Sequence, residues 1–120
     1  MFHYEIKYNN EIMTANSKEE LTAYTNVLKD IDVQYAVDEC FLVATVQFPF
    51  SQKAYTYLTD KPFKLGDYAV VETTDYVHGA EVTCLKVVQV IHCGYRTKAD
   101  LEKVLPFGKY RTIRGEVKLA

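Results

Sequence analysis

His78, Cys84, His92 and Cys93 are the histidines and cysteines that lie close enough in sequence to share a metal ion or to form a nucleophile and base pair. Zinc sites usually present Cys or His pairs about two to five residues apart on a turn, and neither a Cys-x-x-Cys nor a His-x3-His spacing occurs here. His92 and Cys93 are neighbours, so on a strand their side chains point to opposite faces and cannot act together. The glycines stand singly at 66, 79, 94, 108 and 115, which provides no phosphate-cradling loop. Glu19-Glu20 and Asp38-Glu39 read as a helix start and a turn rather than as paired acid and base. The sequence therefore assigns no catalytic residue, no metal and no cofactor, and an enzyme is the least supported class.

Tyrosine is the unusual component, with ten tyrosines and no tryptophan. Tyrosine combines a large rigid ring with a polar tip, which suits amphipathic strands and binding surfaces alike. Six of the ten, Tyr55, Tyr57, Tyr68, Tyr76, Tyr95 and Tyr110, fall after residue 52. The net charge is −2, unevenly spread: residues 1–52 hold three Lys against eight Asp or Glu, for −5, while residues 95–120 hold seven Lys or Arg against three acids, for +4. Such a split suits either two partner-facing surfaces or two solvated ones. The three cysteines, Cys40, Cys84 and Cys93, lack paired spacing and read as small buried hydrophobes in a reducing compartment. With no apolar run near 20 residues and no signal-peptide pattern at the start, the expected location is the cytoplasm, with no membrane contact.

The elements that would position these residues follow from periodicity. Phe2, Tyr4, Ile6 and Tyr8 alternate with His3, Glu5 and Lys7 and lead into Asn9-Asn10, a hairpin signature over residues 2–15. Ser17 with Glu20 forms a capping box, and Leu21, Tyr24, Leu28 and Ile31 then lay one apolar stripe on a helix over residues 18–30. Residues 33–48 predict one long strand or two short ones, ended by Pro49. Residues 54–63 begin as a strand with Tyr55 and Tyr57 on one face, and the Gly66-Asp67 turn feeds a strand over 68–73. Residues 74–82 read as a polar, aromatic loop. LKVVQVIH, residues 85–92, is apolar at positions of both parities and predicts a strand covered on both sides. ADLEKVL, residues 99–105, offers a short helix, and YRTIRGEVKL, residues 110–119, predicts a half-exposed strand with Ile113, Val117 and Leu119 inward.

The series from YTYLTDKPF through LGDYAVV and LKVVQV to the last strand resembles small SH3-like β-barrels. It is similar in particular to a group of short bacteriophage proteins, most of them without a known role, and more distantly to the amino-terminal module of the primosomal helicase. The likeness covers residues 53–119. It implies a small SH3-like antiparallel barrel over residues 51–120 with a short helix near 98–105. Residues 1–50 fall outside it, and their periodicity adds an N-terminal ββαβ(β) unit packed on that barrel in an α+β protein; alternatively the chain is one compact domain.

Three functions follow in order of support. The first is a non-enzymatic phage accessory protein that binds and modulates a host protein of a defence or transcription system, through Asp75, Tyr76 and His78 in the loop and through Tyr55 and Tyr57. The second is a nucleic-acid module with Arg96, Lys98, Lys109, Arg111, Arg114 and Lys118 on phosphates and Tyr95 or Tyr110 stacking on bases. The third sequesters a small nucleotide-like ligand at a dimer interface. Homo-oligomerisation would cover exposed strand edges in any of them.

Overall fold

A computed structural model describes residues 2–118, so Leu119 of the last anticipated strand lies outside the described residues. The protein is α+β and mostly antiparallel. Its elements are β1 (Tyr4–Tyr8), β2 (Glu11–Ala15), α1 (Lys18–Asp30), β3 (Ala36–Gln47), β4 (Ala54–Leu58), β5 (Tyr68–Val77), β6 (Ala80–Thr97), α2 (Lys98–Glu102), a 3-10 turn (Phe107–Lys109) and β7 (Gly115–Val117). Contacts divide the chain into two compact units: residues 1–41 with 95–107, and residues 42–94 with 108–120. This division differs from one at Pro49, because the two long strands β3 and β6 each run from one unit into the other.

In the first unit, β1 and β2 pair with Tyr8 opposite Glu11, leaving Asn9 and Asn10 as a two-residue turn at φ 46° and 62°. Positive φ at both central positions defines the turn whose twist matches the strands, and asparagine tolerates it. β1 also pairs with the start of β3. Ser17 caps α1 by accepting from the Glu20 backbone N–H at 3.1 Å. The helix ends in a six-to-one bond from Val33 N–H to the Leu28 carbonyl, with Asp32 left-handed at φ 56°. Leu28 is buried with Ile6 and Ala15, and Leu21 and Tyr24 pack against them. Ile31, expected on this stripe, is exposed because it is the C-cap and the chain has already left the helix. α2 buries Leu101 but leaves Leu105 exposed, one turn being too short to align both.

In the second unit, Ala44, Val46, Tyr57, Phe63, Ala69, Val71, Val88, Val90 and Ile113 form one core. β3, which enters this unit from the first, is one strand and not two, so Asp38-Glu39 is not a turn but lies within it, opposite Glu5 and Tyr4 of β1. The Lys64–Asp67 turn holds Gly66 at φ 90°, a conformation that disfavours any side chain, and Lys64 N–H bonds Asp67 Oδ2 at 2.8 Å. Three sequence expectations are corrected here. Residues 74–82 are not a loop: β5 and β6 continue as a ribbon to Val77 opposite Ala80, turning through His78 at φ 52° and Gly79 at φ 80°. β6 is not covered on both sides, since Val88 and Val90 are buried while Leu85 and Val87 are exposed. The final strand is three residues long, because Thr112 bridges to Leu58 of β4 before Gly115 to Val117 join β5.

Candidate binding groove between β4 and β5

Strand pairing decides which backbone groups are free. Leu58 bonds across to the final segment, its N–H to the Arg111 carbonyl at 2.9 Å and its carbonyl to the Ile113 N–H at 2.8 Å. In an antiparallel pair, N–H and C=O of one residue point to the same side and alternate along the strand. Ala54 and Thr56, of the same parity as Leu58, therefore also face away from β3. On β5, Val70 accepts from Arg114 N–H at 2.8 Å, so Glu72, Thr74 and Tyr76 face the same way, toward the β7 side. The final segment joins the edges of β4 and β5 at Leu58 and Val70 and goes no further.

Beyond that point lies an open groove of about 550 Å³. One wall is aromatic: Phe48 and Tyr55 meet edge to face at 5.3 Å between ring centres, with Tyr57 buried below them. Burial raises the Tyr57 phenol pKa, partly offset by Arg111. The facing wall is polar. Lys86 Nζ lies 3.1 Å from Asp75 Oδ2, and this bond holds the Asp75 carboxyl below its usual range. Cys84 beside it is held as the thiol, its pKa raised by desolvation and by the Asp75 carboxylate. Thr73 Oγ1, on the same wall, is buried with no hydrogen-bond partner among the described residues. Arg111 crosses the floor, donating to the Glu72 carbonyl at 3.0 Å and to Thr74 Oγ1 at 2.6 Å.

Of the residues proposed for partner binding, Tyr55, Tyr57 and Asp75 line this groove. Tyr76 and His78 do not: Tyr76 is 71% exposed and donates to Glu81 Oε1 at 3.1 Å, and His78 is the exposed first residue of the ribbon turn. The residues proposed for nucleic acid are scattered. Arg96 and Lys98 belong to the first unit, whereas Lys109, Tyr110, Arg111, Arg114 and Lys118 belong to the second. Lys98 faces Glu102 at 4.0 Å, Arg114 holds Glu72 at 3.0 Å and Lys118 holds Glu116 at 3.8 Å. Arg111 and Arg114, set on opposite sides by simple alternation, both converge on Glu72, one on its carbonyl and one on its carboxylate. Tyr95 stacks on His3 at 3.8 Å in the first unit.

Cys93 Sγ accepts from Phe63 N–H at 3.4 Å, and His92 points outward. Among the described residues no three His, Cys, Asp or Glu side chains are placed to hold a metal ion. Lys86, Thr73 and Phe48 escaped the sequence reading. Reading His78-Gly79 as a two-residue turn would have given the register that puts Cys84 opposite Thr73, with Lys86 next on the same face. No family model, curated protein or solved structure matches the chain, so the groove's own geometry carries the functional reading.

Proposed function

We propose that this chain is a non-enzymatic protein-binding module that engages its partner through the groove between β4 and β5. The observation that carries this reading is the convergence there of Phe48, Tyr55 and Tyr57 with the Asp75 and Lys86 ion pair. Rigid aromatic area beside a few oriented polar groups is the composition of binding hot spots. The likeness of residues 53–119 to small phage barrels supports a finer reading. The protein is then a ββαβ(β) unit with an SH3-like barrel, phage-encoded, and the partner is a host protein that it modulates.

The charge pattern supports protein over nucleic acid. Phosphate binding uses cations free to replace counterions, and Arg111, Arg114, Lys98 and Lys118 each already have an acid or a carbonyl to satisfy. Affinity capture from bacterial lysate with tagged chain tests the reading, comparing the native protein with Tyr55→Ser. A protein recovered with the native chain, retained after nuclease and lost with Tyr55→Ser is the expected result. Capture of nothing reproducible, or of nucleic-acid proteins that vanish with nuclease, overturns it.

A further inference from the structure

We infer that the groove is an unfilled strand position, and that its occupant is an extended polypeptide segment of the partner, added between the edges of β4 and β5. This deepens the proposed function and rests on that reading. The two edges run antiparallel to each other across the final segment, which is parallel to β4 at Thr112 and antiparallel to β5 at Gly115 to Val117. That segment already acts as a strand joining them, but only at Leu58 and Val70. Past these points, the N–H and C=O groups of Thr56 and Ala54 on one edge, and of Thr74 and Tyr76 on the other, have no backbone partner among the described residues. Rows of unpaired backbone groups bind one kind of ligand well, another backbone in extended form.

The ribbon itself argues that this position is meant to be filled. From Val71 opposite Lys86 to Val77 opposite Ala80, β5 and β6 are paired with each other, and β7 has already ended at Val70. β6 is paired on its other side with β3, so here the free edge is that of β5, and an added strand would extend the sheet there. Edges kept from pairing usually carry charge or proline; residues 73–77 of β5 carry no proline and one charge, Asp75, which Lys86 neutralises at 3.1 Å. The blocking group is instead the Arg111 side chain, whose guanidinium occupies the Glu72 carbonyl and the Thr74 hydroxyl and can swing away without disturbing a strand. Arg111 thus serves as a removable plug. The occupant's alternate side chains would rest on Tyr55 and Phe48 on one side, where apolar residues fit best.

Proline substitution separates edge pairing from the rest, because Thr56→Pro and Thr74→Pro remove N–H groups that point into the groove and take no part in the existing ladders. The probe is a displayed library of random peptides about twelve residues long, selected on the intact chain, with the selected peptides then titrated against the variants. Selected peptides are expected to bind the native chain, to lose roughly tenfold or more with either proline variant and to gain a few-fold with Arg111→Ala, which unplugs the edge. Amide exchange on the native chain gives a second readout that needs no variant: Thr56 and Thr74 should become protected when peptide binds. Failure to select any peptide, binding indifferent to both prolines, or protection confined to other strands overturns the inference. A captured protein partner that ignores the prolines but is lost with Tyr55→Ser leaves the groove as a docking site and removes only the strand addition. Loss of neither sinks both.

Discussion

Arg111, in the irregular stretch just before the final strand, donates to the backbone carbonyl of Glu72 at 3.0 Å and so closes the edge of β5 where β7 stops covering it. The same guanidinium reaches Thr74 Oγ1 at 2.6 Å, a forked grip that lysine cannot reproduce. Arg111→Lys should cost about 1 kcal/mol, the scale of a partly solvated charged hydrogen bond. The shift in chemical-denaturation midpoint with unchanged slope is the check; an unchanged midpoint would mean that the fork adds nothing to the folded state.

Leu28 and Ile31 sit on the same anticipated stripe of α1 but in different surroundings, 2% and 59% exposed. Leu28→Ala should cost about 3 kcal/mol through lost burial and the cavity left behind, whereas Ile31→Ala should cost less than about 0.5 kcal/mol. Equal effects in thermal or denaturant unfolding would contradict the helix end at Asp30 with Ile31 as its cap.

His78 occupies the left-handed first position of the ribbon turn at φ 52°, with Gly79 following at φ 80°. Asparagine suits such a position better than histidine, so His78→Asn should stabilise by about 0.5 kcal/mol. Gly79→Ala should destabilise by about 1 kcal/mol or more, because a Cβ is strained there although nothing crowds it. Melting temperatures moving in these opposite directions are the expected outcome.

Cys40 is 3% exposed, and burial pushes its thiol pKa from 9.0 up to about 11, with Glu5 adding to the effect. A folded-state pKa above the unfolded one means that the folded thiol keeps its proton while the unfolded one loses it. The associated stability is complete below pH 9 and declines as pH rises from 9 to 11. Cys40→Ala should show a shallower alkaline loss than the native chain when unfolding free energies are compared across that range. Parallel curves would place the titration elsewhere.

Much of the fold was legible because local signals agreed with the structure. Asn9-Asn10, Ser17 with Glu20, and Gly66-Asp67 each state their own geometry within four residues. The ribbon was not legible for the opposite reason. Asp75 and His78 look like loop residues until Lys86, eleven positions away, is seen to neutralise the aspartate and Gly79 to complete a two-residue turn. Leu85 and Val87 suggested burial on both faces, but a hydrophobic residue does not announce whether anything covers it. YRTIRGEVKL alternates like a strand, yet it serves two different strand edges in turn, a tertiary assignment that periodicity does not encode. The groove inherits this limit: Tyr55 stands out by tyrosine content and Asp75 only by its place in an expected loop that is in fact strand, and their meeting depends on pairings remote in sequence.

The first compact unit is completed by residues 95–107, with the whole of residues 42–94 intervening. During synthesis, a chain emerging from its amino terminus must hold the β1–β2 hairpin and α1 in waiting until the far end of β6 has been made. Neither unit can be cut out as one continuous piece. Long-range closure of this kind slows folding and leaves β1 to β3 exposed to other chains in the interval. An amino-terminal fragment ending near Pro49, which composition alone would choose, carries the ingredients of the first unit without the segment that finishes it.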